Sequence, residues 1–477
     1  MSFFNFKSSA PKAVNRAGGT AFAESPRLEL ASILLASFVQ DQYYRSADGS
    51  MNRLIELIDA IPDRRFAARA AIYARANFGL RSVSHVVAGE LLSRVKGEQW
   101  MKRFLSKVIQ RPDDMTEILA CYQAKFGRSP VPNALKKGFA EAFARFDEYQ
   151  LAKYRKRTGV VSLVDVVNVC HPRPTEGNAK ALRLLVADEL RSEGTWESAL
   201  TRAGQAARSD EEKAELKRDA WTRLVRTRKI GYFALLRNLR NILAQAPDLV
   251  EDACALLVDE RLIRKSGVLP FRFATALGEI EKLNSDGVQQ VIAALNRAAD
   301  LACANVPEFE GRMLVALDCS GSMMGRPSQI ASLFAAVLLK ANAADLLLFD
   351  MDARYRSVNR GDGTLSIAES LRLADGGTNF KAIFERANRA YDRIVILSDM
   401  QGWMGGGAPV EAFSAYRRRF RADPKVYSFD LAGYGTLQFP ERNVFCLAGF
   451  SENVFEIMNR LETDRNALVT AIEEIEL

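Results

Sequence analysis

Histidine is scarce: a chain of 477 residues has two, His85 and His171. Enzymes that move protons near neutral pH lean on histidine, so hydrolytic or nucleolytic chemistry has little to work with. Neither a G-x-S-x-G elbow nor a phosphate-binding P-loop occurs. The six cysteines, Cys121, Cys170, Cys254, Cys303, Cys319 and Cys446, form no CxxC pair and are widely spaced. That argues against zinc knuckles and a disulfide framework, and leaves buried reduced thiols as the expectation. No apolar run approaches the roughly 18–20 residues that span a bilayer. The opening MSFFNFKSSA lacks a basic segment ahead of an apolar stretch, so no secretory signal is expected. A cytoplasmic protein with no membrane contact follows as the default.

What is present is lopsided charge. Residues 301–477 hold 19 Lys+Arg and 23 Asp+Glu, a net of −4; residues 1–300 hold 47 and 35, a net of +12. The basic excess lies wholly in the first part, which suggests a polyanionic partner there and a different role for the rest.

The length implies more than one domain. Residues 1–20 are polar and read as a flexible arm. From about 27 to 300 apolar residues recur three and four apart, as in Leu28, Ala31, Leu35 and Phe38, which predicts helices throughout. Pro62-Asp63, Pro112-Asp113 and Pro247-Asp248 mark helix starts, where proline loses no bond and the carboxylate meets the positive end of the helix dipole. Helices of 12–16 residues joined by short turns predict a stacked, HEAT-like solenoid over 21–305. No strand is expected before residue 312. From 306 to 477 short apolar segments, MLVALD (313–318), DLLLFD (345–350), RIVILSD (393–399), KVYSFDL (425–431) and NVFCLAG (443–449), alternate with helical stretches. That alternation predicts a doubly wound α/β domain with a parallel sheet, whose ligands sit at the carboxyl ends of the strands.

Three separated pieces fall at that edge: Asp318-Cys319-Ser320-Gly321-Ser322 after the first strand, Gly376-Gly377-Thr378 before a helix, and Asp399 ending RIVILS. They supply two carboxylates and three hydroxyls, a set suited to a hard divalent cation such as Mg²⁺. Their order and placement resemble the metal-ion-dependent adhesion site of von Willebrand factor A (vWA) domains. By that resemblance Ser320 and Ser322 would touch the metal directly, and Asp318, Thr378 and Asp399 directly or through water. The open positions would accept an acidic group from a partner.

The first domain carries basic clusters. Lys153, Arg155, Lys156 and Arg157 place four cations in five residues; Arg223, Arg226, Arg228 and Lys229 form a second group; Arg237 and Arg240 share one side of a helix. Each alone also fits a solvated helix face. The Arg417-Arg418-Arg419 run is read as such a face, and His85, among Val83, Val86 and Val87, as packing. The segments ALLRNLRNI (234–242), RLIRKSGVLPFRFATAL (261–277), LAKYRKRTG (151–159), VNVCHPRP (167–174) and Asp41-Gln42-Tyr43-Tyr44 resemble the TROVE-domain family of Ro autoantigens. That resemblance implies a helical ring closed by a vWA domain. Its hole would take single-stranded RNA 3′ ends, and a basic outer face would bind small structured noncoding RNAs, the Y RNAs. Carried over by motif, Lys153 and Arg157 would contact phosphates, His171 would lie on the same surface, and Lys136 and Lys137 match a further basic segment.

The expectation is therefore a non-enzymatic, monomeric RNA-binding protein that acts in noncoding RNA quality control, with a nuclease or other protein as a further partner. Two alternatives stay open: a vWA adhesion module with a protein-binding solenoid, and an RNA-modifying enzyme or nuclease.

Overall fold

The protein is described by a computed structural model, covering residues 12–14, 20–23, 26–36, 47–128, 130–155, 159–190, 200, 209–372, 376–402, 409–431, 436–437, 444–448, 454–461 and 467–477. Its first helical block comprises α1 (Pro26–Ala36), α2 (Ala47–Ala60), α3 (Arg64–Asn77), α4 (Ser82–Arg94), α5 (Trp100–Val108), α6 (Pro112–Phe126), α7 (Asn133–Phe143), α8 (Glu148–Lys153), α9 (Leu163–Cys170) and α10 (Ala179–Val186). The second comprises α11 (Asp210–Arg226), α12 (Tyr232–Gln245), α13 (Val250–Leu257), α14 (Glu260–Ser266), α15 (Pro270–Ile280) and α16 (Val288–Ala302).

Short polar side chains set the helix starts. Asp63 caps α3 through a 3.1 Å bond from Arg65 N–H, and Ser162 with Asp165 forms a capping box on α9. Pro112 begins α6 and Pro247 a 3₁₀ turn ahead of α13, as the sequence suggests. Pro62 instead lies just outside α3, one residue before the cap.

The α/β part begins at β3 (Met313–Asp318) and continues through α17 (Arg326–Ala341), β4 (Ala344–Phe349), β5 (Ala353–Tyr355), α18 (Thr364–Ser370), α19 (Phe380–Arg386), β6 (Arg393–Ser398), α20 (Pro409–Phe420), β7 (Lys425–Asp430), β8 (Thr436–Leu437), β9 (Val444–Ala448), α21 (Val454–Leu461) and α22 (Ala467–Glu473). The main sheet runs β5-β4-β3-β6-β7-β9. All its pairs are parallel except the short edge strand β5. β3 and β6 are buried at every position, which is why both read as continuous apolar runs. The chain steps from β3 to β4 on one side and returns to β6 on the other, so strand order reverses at the carboxyl ends of β3 and β6.

Among the described residues three cores hold the molecule. One joins α1–α10. A second runs from α11–α16 without a break into one face of the sheet, where Phe334 of α17 lies 6.0 Å from Phe271 of α15 and 5.2 Å from Phe455 of α21. The third lies on the other sheet face. The composition changes near residue 306, yet the packing does not.

One expectation is corrected. Lys12–Val14 (β1) and Thr20–Ala23 (β2) are strands, not a loose arm, and β2 pairs antiparallel with β8 of the α/β part. Segments of three and four residues are too short to show a period-two pattern, and the second partner of β2 lies more than four hundred residues away. The opposite end also returns to the first block: Ile472 is 1% exposed within the α1–α10 core, and Arg27 pairs with Glu473.

Candidate metal pocket and basic surface

β3 and β6 deliver the pocket. Asp318 is the last residue of β3 and Asp399 directly follows β6, and both are 1% exposed. Ser320 N–H donates to Asp318 Oδ1 at 2.8 Å, and the Ser320 and Ser322 hydroxyls lie 3.3 Å apart. Ser322 bonds Asp399. The Gly-Gly-Thr loop is tied in by Gly321 N–H to the Gly376 carbonyl at 3.0 Å. Gly376 has φ +81, which glycine adopts freely. Thr378, two residues on from Gly376, is buried. Asp318, Ser320, Ser322 and Asp399 thus meet at one switch point, and the loop that carries Thr378 is tied to it at Gly376.

Two neighbours escaped the sequence reading. Ser398 donates to Asp318 Oδ2 at 2.5 Å and accepts from Met400 N–H at 2.9 Å. Asp430 ends β7 fully buried, and its charge acts on Asp399. The signal for Asp430 was its place at the end of KVYSFD, level with the other strand ends.

Burial and the nearby Asp399 push Asp318 up to about 7. Burial, with Asp430 adding to it, pushes Asp399 up to about 6. Among the described residues Asp399 Oδ2 is buried with no hydrogen-bond partner. An orphaned carboxylate oxygen, a like-charged neighbour and converging hydroxyls form a donor set that fits a hard cation. Among the described residues no group of three or more His, Cys, Asp or Glu is placed to hold a metal; this donor set depends on hydroxyls.

On the helical blocks, Lys136 and Lys137 are exposed on α7, Lys153 at the end of α8, and Arg237 and Arg240 on α12. Lys153 Nζ lies 5.6 Å from the rings of both Tyr149 and Tyr154, and Tyr149 is 47% exposed. His171 is exposed and ends α9 in the left-handed region, φ 45 and ψ 62. Lys156, Arg157 and Asp41-Gln42-Tyr43-Tyr44 lie outside the described residues. Arg155 leaves the phosphate-facing set: its side chain is 8% exposed, paired with Asp188 and donating to the Leu190 carbonyl at 2.6 Å. A guanidinium with its fork filled internally has little left for a ligand. The second cluster is also partly engaged, with Arg226 bonded to Asp252 and Arg228 to Asp259, each at 3.1 Å.

His85 is structural, as expected from its neighbours. It is 5% exposed, with Nε2 3.0 Å from Asp114 Oδ1. Asp114, 0% exposed, also accepts from Arg75 at 2.9 Å, Arg81 at 2.9 Å, and the N–H groups of Gln110 and Arg111 at 3.0 Å.

A family model for the TROVE domain matches residues 37–220. Among curated proteins, the chain is similar to telomerase protein component 1 of Rattus norvegicus, 25% identical over 142 residues, covering 28% of this chain and 5% of that protein. It is similar also to telomerase protein component 1 of Mus musculus, 23% identical over 341 residues, covering 55% and 13%. The chain thus spans a small part of the length of these relatives. Among solved structures it is similar to the Ro (RSR) protein of Deinococcus radiodurans, with a TM-score of 0.61 and 18% identity, covering 94% of this chain and 100% of that one. The family resemblance expected from the sequence is borne out by the domain match, and the structural likeness extends it as one of fold.

Proposed function

We propose, from the premise that this chain carries a TROVE domain within a Ro-like fold, that it is a non-catalytic RNA-binding protein. It holds a small structured noncoding RNA of the Y-like kind on an exposed basic face and takes single-stranded 3′ ends in a central opening of its helical ring. Its role is noncoding RNA quality control in the cytoplasm, as a monomer, with a nuclease among its protein partners.

The carrying observation is the state of its cations. Lys136, Lys137, Lys153, Arg237 and Arg240 are exposed and, among the described residues, make no ion pair. The half-exposed Tyr149 ring beside Lys153 adds a stacking surface to a phosphate contact, the combination that single strands favour. In a filter-binding assay, alanine at Lys136, Lys137, Lys153 and His171 together is expected to weaken structured-RNA binding at least about tenfold. Unchanged affinity would remove the assignment.

The α/β part is read as a vWA domain whose Asp318, Ser320, Ser322, Thr378 and Asp399 would hold Mg²⁺. When bound, the ion supplies open coordination positions for an acidic group of a protein partner. Asp318→Ala is expected to abolish the heat of Mg²⁺ titration and the Mg²⁺-dependent thermal shift, with RNA affinity retained. A wild-type chain that shows neither heat nor shift counts against the pocket.

A protein-adhesion module is a second reading. It is favoured by Met324 and Met351, 67% and 56% exposed on the loops that follow β3 and β4. Purified protein free of nucleic acid even after gentle handling would support it.

A further inference from the structure

Among the described residues two aromatic rings stand well out of the fold: Phe126 at the end of α6, 36% exposed, and Tyr149 on α8, 47% exposed. Their surroundings differ. Phe126 packs on Tyr122, with ring centroids 5.3 Å apart, and the cation lying on it, Lys125, is paired with Glu90 at 2.5 Å. Tyr149 has Lys153 one helical turn on, with Nζ 5.6 Å from the ring centre, and Lys153 makes no ion pair among the described residues. Among those residues Tyr149 has no further ring contact, and its hydroxyl has no hydrogen bond. The acids just before it are engaged: Asp147 caps α8, and Glu148 lies 3.8 Å from Lys180.

The other ring near Lys153 is already taken. Asp113, 1% exposed, accepts both arms of the Arg111 fork, at 2.9 and 2.8 Å, a bidentate pair that fixes the guanidinium. Arg111 Cζ lies 4.1 Å from the Tyr154 ring, and Lys153 Nζ lies 5.6 Å from the same ring. Tyr154 is half-buried and carries two cations. A buried carboxylate thus steadies Arg111, Arg111 steadies Tyr154, and Tyr154 sits beside Lys153. Tyr149 is the ring left open at the end of this chain of contacts.

An open ring one turn from an unpaired ammonium offers a face for a base and a charge for a phosphate. Within an A-form duplex the bases stack on one another, so a protein meets backbone and groove edges; an unpaired base can be splayed out and laid on an aromatic side chain. We propose that Tyr149 and Lys153 form a subsite for one bulged nucleotide of a structured RNA, its base stacked on Tyr149 and an adjoining phosphate on Lys153. The subsite tells an interrupted helix from a continuous one, whereas the remaining exposed cations meet phosphates of either. The proposal rests on the RNA-binding reading above and deepens it, by naming the feature of the RNA that is read.

Three hairpins of one stem sequence test it on the full chain by fluorescence anisotropy: one continuous, one with a single bulged adenosine, and one with an abasic ribose at the bulge. Wild type is expected to bind the adenosine bulge about tenfold more tightly than the abasic one, the worth of one base–aromatic stack. Tyr149→Ala should erase that difference and keep the affinity for the abasic and continuous hairpins. Tyr149→Phe should keep the difference, because the ring and not the hydroxyl does the stacking. Should Tyr149→Ala fail to fold, Tyr149→Gln removes the ring and keeps a good helix former. A preference for the adenosine bulge that survives loss of the ring overturns the subsite. So does an equal loss on all three hairpins, which would make Tyr149 a prop for Lys153. A wild type that binds the three hairpins alike overturns the subsite and leaves the RNA-binding reading standing, and a wild type that binds none of them counts against both.

Discussion

Asp114→Ala is expected to destabilise the first helical block by about 3–5 kcal/mol, the range for breaking a buried charge network by removing one partner. The carboxylate accepts from Arg75, Arg81, His85 and two backbone N–H groups. Its loss strands Arg75 and His85, 6% and 5% exposed, with unmet donors. Denaturant titration followed by helical circular dichroism reads the loss as a lower midpoint with an unchanged slope. A cost under about 1 kcal/mol would show that the network is not needed for stability. The same group sets an acid limit. Burial pushes Asp114 up, but the His85 bond, the Arg75 charge and the Gln110 N–H outweigh it and hold the carboxyl well below its usual range. A depressed folded-state value means a contribution that is complete above the unfolded value near 3.9 and is lost as pH falls through the folded one. The wild-type block is expected to keep this contribution at about pH 4 and lose it only in stronger acid, whereas Asp114→Ala lacks it throughout.

RNA affinity is expected to fall about 100- to 500-fold as monovalent salt rises from about 50 to 200 mM. That figure takes one phosphate at each of Lys136, Lys137, Lys153, Arg237 and Arg240, with a log–log slope of about −0.7 to −0.9 per phosphate. Replacing any one of the five with alanine should make the slope shallower by nearly one and weaken binding across RNA sequences alike. Anisotropy at four or more salt concentrations measures both quantities. A slope near zero, or one untouched by every replacement, would mean that these side chains are a solvated face and no more.

The α/β part was the most legible region because its strands are buried on both faces, and a run such as Met313–Leu317 admits few other readings. The pocket was legible for the same reason: once β3 and β6 are assigned, Asp318 and Asp399 must fall at one edge. Ser398 and Asp430 were harder to see, since each is the last polar residue of an apolar strand and its role appears only when neighbouring strands are aligned. Contacts between the ends of the chain were invisible. Nothing in TAFA announces a partner at Thr436-Leu437, and nothing in 475–477 announces the bonds it takes from Arg69, Arg103 and Lys107. Charge alone also misled at Arg155, where four cations in five residues looked like one surface, although a single inward turn sends the second of them to Asp188 and the Leu190 carbonyl.

Because Phe271, Phe334, Phe429 and Phe455 share one cluster, the second helical block and the sheet should melt as a single cooperative unit, apart from the earlier helices. A cut at residue 305 would lay open the flank of both products and invite aggregation.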